Sequence, residues 1–252
     1  MRLILSLLAT LVFALPAAAK EMHPHGPEGG WKHKGVFGSY DRGALQRGLL
    51  VYKQVCAACH ALNLVAYRNL AMLGYSEDEI KTIAAEKRVK DGPNDQGEMF
   101  DRPARPSDPF VAPFANDQAA RVANGGALPP DLSLIIKARH GGENYVYSLL
   151  TGFGETPPAD MKILPGMNYN PYFPGGQIAM PPPLAADDLV SYSDGTKATK
   201  EQMAKDVVQF LAWAAEPHME QRKRIGIRVM LFLLVLTGVF YAAKRQLWRD
   251  VH

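Results

Sequence analysis

The sequence predicts a mainly α-helical body with long irregular loops, followed by one C-terminal transmembrane helix. Three observations predict it. Helical stripes with their own capping residues recur through the body. No convincing set of alternating strands appears. Ile225 to Ala243 form a 19-residue segment, IGIRVMLFLLVLTGVFYAA, with a single charge. At 252 residues, with 47% hydrophobic and 21% charged, the chain can build a substantial core in one or two domains. Its two cysteines exclude a disulfide-dense scaffold and a four-cysteine metal site.

Taken in order, residues 1–19 start with Arg2, continue through the apolar run Leu3 to Leu15 and end in Ala17-Ala18-Ala19. A basic start, a short apolar run and an A-x-A site describe a secretory signal peptide, cut before Lys20. The run is too short to span a membrane comfortably. Asp41 then caps a stripe of Leu45, Leu49, Tyr52 and Val55, spaced i, i+4, i+7 and i+10. Ser76 with Glu79 forms a capping box that opens a helix bearing Ile80, Ile83 and Ala84. Gly92 to Pro113 reads as a long polar loop. Short helices follow at 117–124, 132–139 and 143–151, with Gly125, Gly141 and Gly152 as stops. Pro157 to Pro183 holds eight prolines and reads as loop. Thr199 with Gln202 caps a helix carrying Met203, Val207, Phe210, Leu211 and Ala214; Pro217 kinks it or starts the next. Long loops in a compact domain suggest that they wrap something.

The apolar segment 225–243 measures about 28 Å as a helix, close to the hydrocarbon thickness. Arg222, Lys223 and Arg224 precede it; Lys244, Arg245, Trp248 and Arg249 follow as head-group anchors. With basic clusters on both sides, the positive-inside rule casts no vote. The signal peptide sets the orientation: body exported, last residues cytoplasmic. The division expected is signal peptide 1–19, exported body 20–221, and membrane anchor with short tail 222–252. The formal charge of +3 then separates. The body carries 20 basic and 24 acidic residues and is net −4, whereas the tail is net +6. Nucleic acid is excluded as an attractive partner, and a basic protein is favoured.

The sharpest chemical signal is Cys56-Ala57-Ala58-Cys59-His60. C-x-x-C-H is the attachment pattern for c-type haem. On a helix, i and i+3 share a face, so both sulfurs can reach one porphyrin. His60, the next residue, offers an imidazole to the iron. A redox dithiol would follow a strand, and here a helical stripe precedes it; a zinc site needs more cysteines. The second axial position is open or held by His or Met. His140, before Gly141-Gly142, reads as a surface residue, while Met161, Met167 and Met180 all lie in the Pro-rich loop. Met180 precedes the stiff Pro181-Pro182-Pro183 run and is the favoured ligand, with Met167 behind it. A filled axial pair suits electron transfer. An open iron would suit a tethered peroxidase-like enzyme instead.

Four segments carry a resemblance: VCAACHALNLVAYRNL, LPPDLSLIIKARHGGENYVYSLLTGF, YFPGGQIAMPPPL and DVVQFLAWAAEPHMEQRKRIG. In this order, ahead of a tail anchor, they resemble the cytochrome c1 family, the haem subunits of ubiquinol–cytochrome c reductase, in its bacterial form. The resemblance implies one covalently attached haem c (iron) on Cys56 and Cys59, with His60 as proximal and Met180 as distal iron ligand. It implies that Arg139 contacts a haem propionate, where a free helix-end arginine is the plain alternative. It implies Pro129 and Pro130 against the haem on the His60 side, with a backbone carbonyl there available to orient the imidazole. Some bacterial members carry an extra cysteine pair, which this chain lacks. The role implied is a one-electron carrier of a respiratory or photosynthetic complex, not an enzyme on its own. Its partners would be the cytochrome b subunit, the Rieske iron–sulfur protein and a cytochrome c acceptor. The protein would cross the inner membrane once, haem domain in the periplasm and C-terminus in the cytoplasm. A freestanding tethered cytochrome is the remaining alternative.

Overall fold

The computed structural model describes residues 22–250. The expected signal peptide and its cut before Lys20 lie outside the described residues. Seven α-helices and two small two-stranded sheets are described: α1 (Arg42–Gln54), α2 (Glu77–Ala85), β1 (Arg88–Asp91), β2 (Phe100–Pro103), α3 (Asp117–Ala123), α4 (Ile135–Ala138), α5 (Gly142–Thr151), β3 (Asn168–Tyr169), β4 (Gln177–Ile178), α6 (Lys200–Ala215) and α7 (Met219–Leu247). The expected mainly α body is present, with irregular loops between its helices.

Helix starts follow the local chemistry. The Asp41 side chain accepts from Ala44 N–H at the head of α1. Ser76 and Glu79 cap α2 reciprocally, and Thr199 accepts from the Gln202 amide to open α6. Each cap satisfies amides that a helix start leaves without an intrahelical partner.

α1 and α6 pack against each other and form the centre of the core. Leu45, Leu49 and Tyr52 from α1 meet Met203, Val207, Phe210 and Trp213 from α6, all 2% exposed or less. Gly48 permits the close approach: a Cβ there would stand 2.1 Å from the Asp206 carbonyl oxygen. Beside it, Arg47 donates through Nε (2.8 Å) and Nη2 (3.1 Å) to the carboxylate of the fully buried Asp206. Gln202 donates to the same carboxylate at 2.9 Å. The cross-helix pair is two-pronged and almost dry, so it fixes the register of α1 on α6.

Three expectations require correction. The loop read from Gly92 to Pro113 contains β2, which pairs antiparallel with β1, Arg88 opposite Pro103 and Asp91 opposite Phe100. The Pro-rich loop 157–183 contains the β3–β4 pair. The helix expected over 132–139 shrinks to Ile135–Ala138, because the backbone of Leu132 and the side chain of Ser133 are engaged by the segment 61–64. A seven-residue 3-10 helix over Tyr67–Leu73 has no counterpart in the sequence pattern.

α7 is 29 residues long, and none of its apolar window, mean hydropathy 2.2, is covered by the rest of the chain. A buried core helix would be covered, so the segment is a candidate for one membrane crossing.

Candidate haem site

α1 ends at Gln54, and Val55, still in the right-handed helical region, carries the chain into a 3-10 turn at Cys56–Ala58. The two cysteines therefore sit on a tighter turn than the α-helix expected. In 3-10 geometry, i and i+3 fall on the same side of the turn, so Cys56 and Cys59 can still serve one porphyrin. The amides of Cys59 (3.1 Å) and His60 (2.9 Å) both bond the Cys56 carbonyl, closing the turn. Both thiols are free and half-buried. Burial, with Cys59 adding to it, pushes the Cys56 thiol up to about 12, so it stands as a neutral thiol.

His60 is held at three points. Its ring Nδ1 donates to the Pro130 carbonyl at 2.8 Å. Its own carbonyl accepts from the Tyr52 hydroxyl at 3.1 Å. The next residue's carbonyl, on Ala61, accepts from Leu132 N–H at 2.9 Å. With Nδ1–H spent on a carbonyl, Nε2 is left as the lone-pair nitrogen. Burial holds the imidazole below its ordinary range, against the opposing pull of the Pro130 bond and Asp131. The ring is thus kept neutral and turned by a backbone acceptor, the state a metal-ligating histidine needs.

Pro130 is placed by its own neighbours. Asp131 Oδ1 accepts from Ser133 N–H (2.7 Å), an Asx turn, while Oδ2 accepts from Asn63 N–H (2.8 Å). Ser133 Oγ accepts from Leu64 N–H at 3.0 Å. Residues 60–64 and 130–133 are thereby stitched together. Tyr52, Asp131 and Ser133 were missed in the sequence. The Asp-x-Ser pattern after Pro-Pro was the available signal for the turn, but not for its partner.

Pro129 is half-buried, Pro130 exposed, and Leu128 and Leu134 on either side are left open to 36% and 46%. Arg139 is exposed at the end of α4; among the described residues its Nη1 reaches only the neighbouring Ala138 carbonyl, at 3.3 Å. Met180 is half-buried just past β4, where its carbonyl accepts from Asn168 Nδ2 at 3.2 Å. Met167, also half-buried, immediately precedes Asn168 on the paired strand. The structure thus brings Cys56, Cys59, His60 and Pro130 into one cluster. Met167 and Met180 flank the separate β3–β4 pair, one just before β3 and the other just after β4.

The donor set fits a c-type haem: two unpaired thiols on one turn, a neutral oriented imidazole beside them and open apolar side chains flanking its carbonyl partner. The model of the Cytochrome C1 family matches residues 31–251. The chain belongs to the cytochrome c1 family. A cytochrome c1 from Rhodospirillum rubrum is 52% identical over 236 residues, covering 88% of this chain and 86% of the relative. A mitochondrial cytochrome c1 haem protein of Arabidopsis thaliana is 54% identical over 243 residues, 94% of this chain and 78% of its own length. A protein named cytochrome b/c1, from Bradyrhizobium diazoefficiens, is 49% identical over 257 residues, which span 94% of this chain but 37% of that relative. As a cytochrome c1 family member, the chain is a haem-bearing electron carrier of the bc1 complex.

Proposed function

We propose that this cytochrome c1 family member relays single electrons from a Rieske iron–sulfur protein to a cytochrome c. The observation that carries the proposal is the C-x-x-C-H turn whose histidine has one ring nitrogen bound by the Pro130 carbonyl and the other without a partner among the described residues. Cys56 and Cys59 would hold a haem c covalently, and His60 and Met180 would ligate its iron. When bound, that group supplies a one-electron couple, and ligation by His and Met raises its potential. The chain's own residues orient and insulate. Pro130 and Tyr52 fix the His60 ring and backbone, the Asn168 amide holds the backbone of Met180, and Arg139 offers a guanidinium to a carboxylate such as a propionate. Pro129 and Pro130 supply the wall on the His60 side.

Residues 1–19 would direct export, 20–221 form the periplasmic haem domain, and 222–252 the anchor, crossing the inner membrane once over about 225–243 with the C-terminus cytoplasmic. A cytochrome b subunit would lie beside that helix; the relative whose name joins b and c1 supports a cytochrome b as partner. The net −4 body would steer a basic acceptor by long-range attraction. Gentle detergent extraction tests the assignment. Co-purification with b-type haem and an iron–sulfur protein is expected; a c-type haem that purifies alone would contradict it. Carbon monoxide should not bind the reduced native protein, and if it did the iron would be open, as in a peroxidase-like enzyme.

A further inference from the structure

A cavity of about 310 Å³ lies where the segment around His33, α4, α5 and the end of α6 meet the first turns of α7. It is at the lower end of the range of small-molecule sites. Four cationic side chains line it, Lys34, Lys137, Arg222 and Lys223, against two carboxylates. Both carboxylates are already engaged: Glu143 with Lys34 (2.7 Å), and Glu216 with Lys137 (3.1 Å) and Arg222. Lys223 differs. Its ammonium donates to the carbonyls of His33 (2.7 Å) and Gly38 (2.9 Å), and it makes no ion pair among the described residues. Burial and the nearby Arg222 hold it below the usual lysine range despite Glu216 and Glu220, with Lys34 adding to the effect. A cation so placed gains from an anion brought to it.

His33 is the second observation. It is 3% exposed and lines the same cavity, and its Nε2 bonds Glu143 Oε1 at 3.1 Å. Its Nδ1 is buried without a partner among the described residues. With Nε2–H given to the carboxylate, a neutral ring presents Nδ1 as an acceptor that lacks a donor.

Position supplies the third. Lys223 precedes the apolar segment at Ile225 by two residues, about 3 Å along a helix. The loop that Lys223 holds carries Val36 and Phe37, exposed to 63% and 88%. The cavity is therefore cation-lined, at head-group depth, and rimmed by apolar side chains.

We propose that this cavity binds the head group of an anionic phospholipid that bears a free hydroxyl. Lys223, with Arg222 and Lys34 beside it, takes the phosphodiester; His33 Nδ1 accepts from the hydroxyl; the acyl chains follow Phe37 and the open face of α7. Inorganic phosphate shares the anion chemistry but has nothing to set against that apolar rim. The inference rests on reading α7 as a membrane span.

The test uses the full, haem-loaded chain in nanodiscs of phosphatidylcholine doped with spin-labelled phosphatidylglycerol. About one restricted phosphatidylglycerol per chain is expected, with weak competition from phosphatidylcholine and none from inorganic phosphate. Lys223→Gln should weaken binding about tenfold while the visible haem spectrum is unchanged. If that variant loses the spectrum, Lys34→Gln, whose side chain is 59% exposed, is read in its place and must also weaken binding. Equal restriction of both lipids, full displacement by phosphate, or variants that bind as the parent does would overturn the proposal while leaving the span intact. A chain that does not enter nanodiscs would overturn the span as well.

Discussion

Replacing Arg47 by Met should destabilise the packing of α6 on α1, the helix that leads into the C-x-x-C-H turn. Arg47 holds two carboxylates, and the structure separates what each contributes. Asp194 accepts at 2.6 Å but is 44% exposed, so solvent screens its pairing with Arg47 and it contributes little. Asp206 is fully buried and receives two bonds from the guanidinium. Arg47→Met strands that carboxylate without its counter-charge, leaving it the Gln202 amide at 2.9 Å and the neutral Tyr192 hydroxyl nearby. Removing one partner of a buried ion pair costs about 3–5 kcal/mol. Adding Asp206→Asn removes the stranded charge and should recover more than half of the loss, whereas Asp194→Ala alone should cost far less than Arg47→Met. Guanidinium unfolding of the haem-loaded full chain, followed by circular dichroism, measures the parent, Arg47→Met, Asp206→Asn, their double variant and Asp194→Ala. A loss below about 1 kcal/mol for Arg47→Met, or losses in the double variant that simply add, would refute the reasoning that the pair locks α1 on α6.

Other consequences are more local. Tyr52→Phe deletes the bond to the His60 carbonyl and should lower stability by about 0.5–1.5 kcal/mol with a small shift of the Soret band; an unchanged unfolding midpoint would show the bond to be idle. Burial pushes the Glu143 carboxyl up, but hydrogen bonds from His33 and Lys34 more than offset it and bring it from 4.5 to about 2. A depressed carboxyl stabilises the fold above its unfolded value and loses that contribution as pH falls. Between about pH 4.5 and 2 the parent should therefore lose stability more steeply than Glu143→Gln, by about 1.4 kcal/mol for each tenfold difference in proton affinity between the folded and unfolded chain. Thermal unfolding against pH measures it, and parallel curves for the two proteins would contradict it. Electron transfer from the net −4 body to a basic cytochrome c should slow with added salt in stopped-flow; a rate indifferent to salt would rule out electrostatic steering.

What could be read ahead was chemistry that closes within a few residues. Asp41, Ser76 and Thr199 each cap the helix that they precede by bonding an amide three positions on, so three helix starts lie in plain view. The β1–β2 pair was not legible because its strands, RVKD and FDRP, have no apolar alternation. They are tied instead by Arg102, which bonds Asp91 and Asp108, charges 11 and 6 residues away. The helix expected from 132 failed for a related reason: Leu132 and Ser133 bond Ala61 and Leu64, about 70 residues upstream. The motif made the cysteines and His60 legible, but no local pattern links His60 to Pro130, 70 residues later. That contact exists only once α1 and the 130–133 turn have docked. Met167 and Met180 could not be separated by local structure because both flank the same short strand pair, β3–β4.

Met180→Leu tests the central claim most directly. Leucine keeps the volume within a methylene-sized change and removes the sulfur, so the fold should persist while the distal ligand is lost. Oxidised parent protein should show a methionine–iron charge-transfer band in the near infrared. Met180→Leu should abolish the band and lower the potential, and Met167→Leu should leave both unchanged. An unaltered spectrum in Met180→Leu, or loss of the band in Met167→Leu, would contradict the account.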